Sequence, residues 1–111
     1  MFAAANGPEQ PGFRRLLELL ESGSGRLWVK LTGFYRISRR PPHYDDVAAL
    51  VQALAAAAPD RLIWGSDDPH LSFAHETGTI TLYNLMCRWT QSEALQRKIL
   101  VDNPAKLFGF E

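Results

Sequence analysis

The sequence predicts an α/β fold in which neighbouring parallel strands are joined by helices. Helix-forming and strand-forming segments alternate in the order helix, strand, helix, strand, helix, which is typical of right-handed crossovers between parallel strands. The second predicted strand, residues 61–66, has the apolar sequence RLIWGS and is followed directly by Asp67. Strands inside parallel sheets are apolar on both faces, and ligands bind beyond their carboxyl ends. We therefore expect Asp67 to lie where such a sheet places its chemistry.

The first part of the chain predicts a loop, a helix and a strand. Residues 1–12 are rich in Pro, Gly and Ala, which favours a loop. Apolar side chains then recur at helical spacing, and Gly23 or Gly25 ends this helix. Residues 26–33, RLWVKLTG, alternate as in a strand between an aliphatic face and a mixed face that carries Lys30. The apolar helix positions are Phe13, Leu16, Leu17 and Leu20, and the aliphatic strand face holds Leu27, Val29 and Leu31.

The rest of the chain predicts three further helices around the second strand. Residues 34–43 favour a loop, and Asp45 and Asp46 favour the positive start of the Ala-rich helix VAALVQALAAAA, which Pro59 ends. After the strand at 61–66 come a long loop, a helix near ITLYNLMCRW, a helix near SEALQRKILV and a final turn in NPAKLFGF. The apolar positions Leu82, Leu85, Met86 and Trp89 have the spacing of a stripe that faces the core.

Composition excludes several classes of function. The 111 residues suit one domain, and a hydrophobic content of 46% is enough for a core. Lys and Arg balance Asp and Glu at 12 each, so we expect neither a nucleic-acid partner nor a basic membrane-binding patch. No apolar run is long enough to span a bilayer, and the amino terminus lacks the pattern of a secretory signal. The single cysteine, Cys87, predicts a buried, inert thiol in a reducing, cytoplasmic setting.

Two strands alone leave the edges of a parallel sheet uncovered. Parallel sheets covered by helices normally contain more strands, and a (β/α)8 barrel typically takes about 250 residues. We therefore expect residues 1–111 to be the carboxyl-terminal part of such a barrel domain. The missing strands would come from an amino-terminal half-barrel or from a self-associating second copy.

Three segments of the chain resemble the amidohydrolase-related family of metal-dependent hydrolases. They are VKLTGFYRIS, YDDVAALVQALAAAAPDRLIWGSDDPH and KILVDNPAKLFGF, in the family's order from about residue 7 onward, and they are similar to the branch that contains 2-pyrone-4,6-dicarboxylate lactonase. The resemblance implies a (β/α)8 TIM barrel whose eighth strand ends at Asp67. It also implies hydrolysis of a small, carboxylate-bearing lactone or ester. The family often has an aromatic residue where this chain has Asp68.

The resemblance implies roles for four residues. Asp67 would act as the general base that activates water, and it would bind a metal only if the intact enzyme uses one. Arg36 would bind a substrate carboxylate through two hydrogen bonds, since a guanidinium matches that geometry. His70 and Tyr35 would contact substrate. The alternatives are a structural strand-end carboxylate at residue 67 and a solvated loop arginine at residue 36.

Metal use and activity stay open at the level of sequence. The family includes zinc-dependent and metal-independent members, and its His-x-His pair and strand-end histidine have no counterpart in these residues, so this chain alone is not expected to hold a complete active site. One alternative is a non-catalytic, truncated fragment that needs the missing half-barrel. The other is a decarboxylase of the same superfamily. Lys30, a charge within a strand, predicts either an internal ion pair or a catalytic role.

Overall fold

The computed structural model describes residues 3–22, 27–40, 43–65 and 79–109. Within them, two short strands and six α-helical segments alternate much as expected. The strands are β1 (Val29–Leu31) and β2 (Leu62–Trp64), and the helices are α1 (Pro11–Glu21), α2 (Phe34–Ile37), α3 (Ala48–Ala57), α4 (Thr79–Thr90), α5 (Glu93–Arg97) and α6 (Asn103–Phe108). None of the helices in these ranges is long and apolar enough to cross a membrane.

The two strands pair in parallel, which confirms the predicted α/β class. Val29 pairs with Leu62, Lys30 with Ile63 and Leu31 with Trp64. Both strands are shorter than predicted, with three residues each instead of the expected 26–33 and 61–66. A strand extends only as far as its residues pair with a neighbouring strand. The chain turns soon after β1 because Gly33 takes a left-handed φ of 62°.

One face of the strand pair packs against the helices. Leu31 and Leu62 are buried on this face, and the Trp64 ring meets the Tyr83 ring of α4 edge-on at 5.6 Å. Trp64 is therefore a packing residue against α4. In α4 the predicted stripe is confirmed, since all four positions are buried: Leu82, Leu85, Met86 and Trp89. Cys87, expected to be buried, is only partly so, and it packs against this core.

Two helix boundaries and one loop differ from expectation. α1 begins at Pro11 rather than after residue 12, because a proline at the first helical position has no N–H to lose and already has a helical φ. The helix ends at Glu21, before Gly23 and Gly25, which lie outside the described residues. The predicted loop at 34–43 contains the one-turn helix α2.

The closing segment is helical rather than a turn. Between α5 and α6 the chain forms a π-helical turn, Lys98–Asp102, directly before the Asn103-Pro104 pair. Pro104 lacks an N–H and its ring would clash with the carbonyl of Leu100 in a regular helix, so a wider turn is the physical solution. The segment ends where Gly109 adopts a φ of 79°.

Asn103 links this closing helix to the start of β2. Its side chain is buried, and its Nδ2 donates hydrogen bonds to the backbone oxygens of Pro59 and Leu62, each at 2.8 Å. These acceptors lie more than 40 residues earlier in the chain. The amide therefore satisfies two backbone carbonyls at the entrance to the strand while it holds the final helix in place.

A second link between the same regions is an exposed ion pair. The Lys98 ammonium donates to the Asp60 carboxylate at 2.6 Å, and this hydrogen bond lowers the pKa of Asp60 below its ordinary value. The pKa is lower in the folded state than in the unfolded one, so the stabilisation is present at neutral pH and is lost as the pH falls below about 4.

We expect Asp60→Asn to lower the free energy of unfolding by about 0.2–1 kcal/mol at neutral pH, because both partners are largely exposed and water screens them. Urea unfolding at pH 7 and at pH 3 measures this difference. The variant and the original chain should differ less at pH 3 and in high salt. A difference that grows at pH 3 would contradict the assignment.

Candidate functional site

The parallel pairing brings the carboxyl ends of β1 and β2 to one edge of the sheet. β1 ends at Leu31 and β2 ends at Trp64, and these two residues are partners in the register. The segments that follow the two strands therefore start side by side. This is the edge at which parallel sheets bind ligands.

Arg36 lies in α2, directly beyond this edge. Gly33, which is buried, turns the chain sharply after β1, and the backbone N–H of Arg36 donates to the Gly33 carbonyl oxygen at 2.9 Å. The Arg36 side chain is exposed. This turn places Arg36 in the first helical turn after β1, and the role of its guanidinium stays a prediction. Tyr35 belongs to the same helix, and its side chain lies outside what the structure describes.

Asp67 and His70, the other two predicted site residues, lie outside the described residues. So do Asp68 and His75. The described chain stops at Gly65, one residue past the end of β2. The convergence of Asp67 with Arg36 therefore stays a prediction, whose geometric premise, a parallel pair of neighbouring strands, holds.

Other candidates near this edge are now placed. Arg39, Arg40 and His43 are all exposed, as surface charges and polar loop residues are. Tyr44, in contrast, is fully buried with 0% exposure. Packing is therefore the role that its position favours.

The face of the strands opposite the helices carries polar groups. At its amino end the Arg61 guanidinium lies 5.3 Å from the centre of the Trp28 ring, a cation–π contact. In the middle, Lys30 is exposed. At the carboxyl end lie Thr32, whose hydroxyl is buried without a hydrogen-bond partner among the described residues, and Gly65. This face is the one that alternation assigns to the inside of a barrel.

Lys30 extends along this face to Gly65. A Cβ placed on Gly65 would overlap Lys30 Cε and would lie 2.9 Å from its Nζ. The lysine stem therefore occupies the space that a side chain at residue 65 would need. The sequence pointed to Lys30 as an unusual charge within a strand, but nothing in it pointed to Gly65, because that contact depends on the register between the strands.

Metal ligands are not grouped in the described part of the chain. Within residues 3–22, 27–40, 43–65 and 79–109, no three His, Cys, Asp or Glu side chains lie together as a metal site requires. Asp67, the one predicted ligand, is not among these residues. The described residues by themselves do not supply a metal site.

The chain matches one protein family over nearly its whole length. A sequence profile of the amidohydrolase family covers residues 2–110. The chain belongs to the amidohydrolase family. The resemblance inferred from its three motifs is thereby confirmed.

Individual relatives of this amidohydrolase chain are named for lactones. It is 44% identical over 108 residues to 4-sulfomuconolactone hydrolase of Hydrogenophaga intermedia, covering 93% of this chain and 34% of that protein. It is 37% identical over 107 residues to D-galactarolactone isomerase of Agrobacterium fabrum, covering 93% of this chain and 35% of that protein. The chain thus spans about a third of the length of the curated relatives it matches.

A solved structure has the same fold over the matched region. A Pseudomonas putida protein described as a 2-pyrone-4,6-dicarboxylic acid hydrolase superimposes with a TM-score of 0.82 at 37% sequence identity. The match covers 98% of this amidohydrolase chain and 40% of that protein.

Proposed function

We propose that this chain takes part in the hydrolysis of a small lactone that bears acidic groups. The observation that carries the proposal is the match of nearly the whole chain to proteins named for such lactones. A sulfonate or carboxylate accompanies the lactone ring in each of these compounds. The parallel strand ends and the exposed Arg36 beside them supply a place and a cation for such a group.

We further propose that residues 1–111 form the carboxyl-terminal part of a (β/α)8 barrel. β1 and β2 would be neighbouring barrel strands, with α3 as the crossover between them. Support comes from the match to 40% of a solved relative and from the absence, within the described ranges, of any second neighbour for either strand. The remaining strands would come from a half-barrel partner or a second copy.

In this proposal Asp67 is the general base of the reaction. Its carboxylate would accept a proton from water while the water oxygen attacks the lactone carbonyl carbon, and the ring C–O bond would break as the ring oxygen regains a proton. Arg36 would hold a carboxylate of the substrate in a two-point hydrogen bond. Tyr35 and His70 would contact the same substrate from the segments that follow β1 and β2.

Hydrolysis is tested with 2-pyrone-4,6-dicarboxylate, 4-sulfomuconolactone and D-galactarolactone as substrates. The purified chain is assayed alone and after co-expression with the first two-thirds of the Hydrogenophaga relative. The molecular mass of the species in solution is measured in both cases. The product expected is the substrate plus one water molecule. A product of unchanged mass would favour an isomerase, an alternative supported by the 37% identity to D-galactarolactone isomerase. Released carbon dioxide would favour a decarboxylase.

The non-catalytic alternative makes a different prediction. A truncated fragment would aggregate alone and would not turn over any of the three lactones, even when the complementary two-thirds of a barrel is present. A compact species that unfolds cooperatively and hydrolyses one of the lactones would contradict it. Recovery of activity only on co-expression would identify the half-barrel as the partner.

We expect Arg36→Met to raise KM for a dicarboxylated lactone by about ten- to hundredfold, because charge-assisted hydrogen bonds contribute about 1.5–3 kcal/mol. The value of kcat should change much less. Steady-state kinetics of the active assembly measures both constants. Arg40→Met is the matched control, since Arg40 is exposed in the same segment, and it should leave KM unchanged. Equal effects of the two substitutions would contradict the role of Arg36.

A further inference from the structure

We propose that Lys30 is a substrate-binding residue whose ammonium contacts an acidic group of the lactone. The inference rests on the function proposed above. It adds Lys30 to Arg36 as a second cation that binds an acidic group of the same substrate. It begins from the position of the residue. A lysine at the centre of a strand faces either the helices or the opposite side, and in β1 it faces the opposite side.

The geometry directs the ammonium toward the carboxyl end of the sheet. Lys30 pairs with Ile63, yet its Cε and Nζ lie over Gly65, two residues further along the chain and one residue past the end of β2. Strand side chains lean along the strand direction, and here the lean brings the charge to the edge that precedes Ser66 and Asp67. The lysine therefore points to the place where the sequence predicts the chemistry.

The ammonium has no protein partner in the described part of the chain. Four other described cations have a partner: Arg15 contacts Glu18, Arg97 contacts Asp102 and Lys98 contacts Asp60, while Arg61 lies over Trp28. No described carboxylate lies within ion-pair distance of Lys30. The internal ion pair that was one sequence-based expectation is therefore not found among these residues.

Two neighbouring residues suit the binding of an anion. By alternation Thr32 has the parity of Lys30, and its buried hydroxyl lacks a partner among the described residues, so a second donor faces the same side. Gly65 leaves room for the lysine stem and does so without a left-handed backbone, since its φ is not positive. The glycine thus serves the position of Lys30 rather than a turn.

The chemistry that fits is a carboxylate or sulfonate on a small ring. A lysine ammonium is a compact charge with three donors on a flexible stem, which suits a single acidic group. Arg36 follows β1 and Lys30 lies within it, so the two cations are at different depths along the same strand. A lactone with two acidic groups would engage both, whereas a neutral lactone would engage neither.

The test is binding of 2-pyrone-4,6-dicarboxylate and of neutral 2-pyrone to the full chain by isothermal titration calorimetry. We expect Lys30→Met to weaken dicarboxylate binding by about ten- to hundredfold, the loss of one charge-assisted contact, and to leave 2-pyrone binding unchanged. Lys30→Arg should retain most of the affinity. Lys106→Met is the matched control, because Lys106 is exposed in α6, and it should bind both compounds as the original chain does.

Gly65→Ala provides an independent variant. The added methyl would displace the end of Lys30, so dicarboxylate binding should weaken. The double variant Lys30→Ala/Gly65→Ala should bind the dicarboxylate as weakly as Lys30→Ala alone. Thermal unfolding of each variant shows whether the fold is retained. Additive losses in the double variant would overturn the claim that Gly65 acts through Lys30.

Each remaining outcome decides the proposal. Unchanged dicarboxylate binding in Lys30→Met overturns it. Equal loss of both ligands together with a lower unfolding temperature also overturns it, because that pattern belongs to a structural lysine. Absence of any dicarboxylate binding by the original chain overturns it as well. Lys30-dependent binding without turnover would support Lys30 while contradicting the hydrolytic function, so the two proposals fail separately.

Discussion

Asn103→Asp is expected to lower the free energy of unfolding by about 3–5 kcal/mol, the cost of a buried charge without a partner. The Asn103 amide donates to the carbonyl oxygens of Pro59 and Leu62 at 2.8 Å each. A carboxylate of the same shape has no donor and would face both oxygens. Urea unfolding measures the loss as a lower midpoint at an unchanged slope.

The pH dependence of this variant distinguishes lost hydrogen bonds from a general disturbance. Burial beside two carbonyls would raise the pKa of the introduced carboxyl above its unfolded value. Its destabilising effect should therefore shrink as the pH falls through that raised pKa, because the protonated group donates one hydrogen bond again.

Asn84→Asp is the matched control for this experiment. Asn84 is exposed in α4, so the same chemical change should shift the free energy of unfolding by less than about 0.5 kcal/mol. If the two variants unfolded at the same urea concentration, Asn103 would not stabilise the junction between the final helix and β2.

Asp67→Asn is expected to lower kcat for lactone hydrolysis by about 10²–10⁴, the usual contribution of a general base. The amide retains the size and polarity of the carboxylate but does not accept the proton of the attacking water. KM should change little, since Arg36 and Lys30 are the residues proposed to bind the acidic groups. Steady-state kinetics of the active assembly separates the two constants.

Asp68→Asn is the control, because it removes a carboxylate one residue further on. Strand alternation predicts that the two side chains diverge, and Asp68 is expected to face solvent or cap the next helix. Its substitution should leave kcat near that of the original chain. Protonation of the general base should lower kcat/KM of the original chain at acidic pH. This fall should be absent in Asp67→Asn and present in Asp68→Asn. Similar rates for both variants would assign the base to another residue.

Local patterns were enough to predict α1, α3, α4 and α5 and the approximate place of the strands, but they predicted a loop at α2 and a turn at α6. The four apolar positions of α4 recur at helical spacing and all are buried, because amphipathic periodicity is a property of neighbouring residues. The boundaries were less well predicted. β1 and β2 have only three residues each, since strand length depends on where a partner ends rather than on the strand's own sequence.

The residues of the candidate site were likewise found partly from the sequence and partly from the structure. Asp67, Arg36, His70 and Tyr35 were found from a strand end and from the resemblance to a family. The structure places Arg36 beside the strand ends, while the roles of all four stay predictions. The proposed role of Lys30 came from the register, because its contact with Gly65 joins residues 35 positions apart.

The amino-acid sequence by itself determined the α/β class, the order of the elements and the family, because these follow from local periodicity and from motifs in a fixed order. Only the tertiary structure decided that Lys30 extends over Gly65, that Asn103 holds the entrance to β2, and that a π-helical turn precedes Pro104. The physical reason is that a strand register and a buried amide acquire their partners only when distant segments pack together.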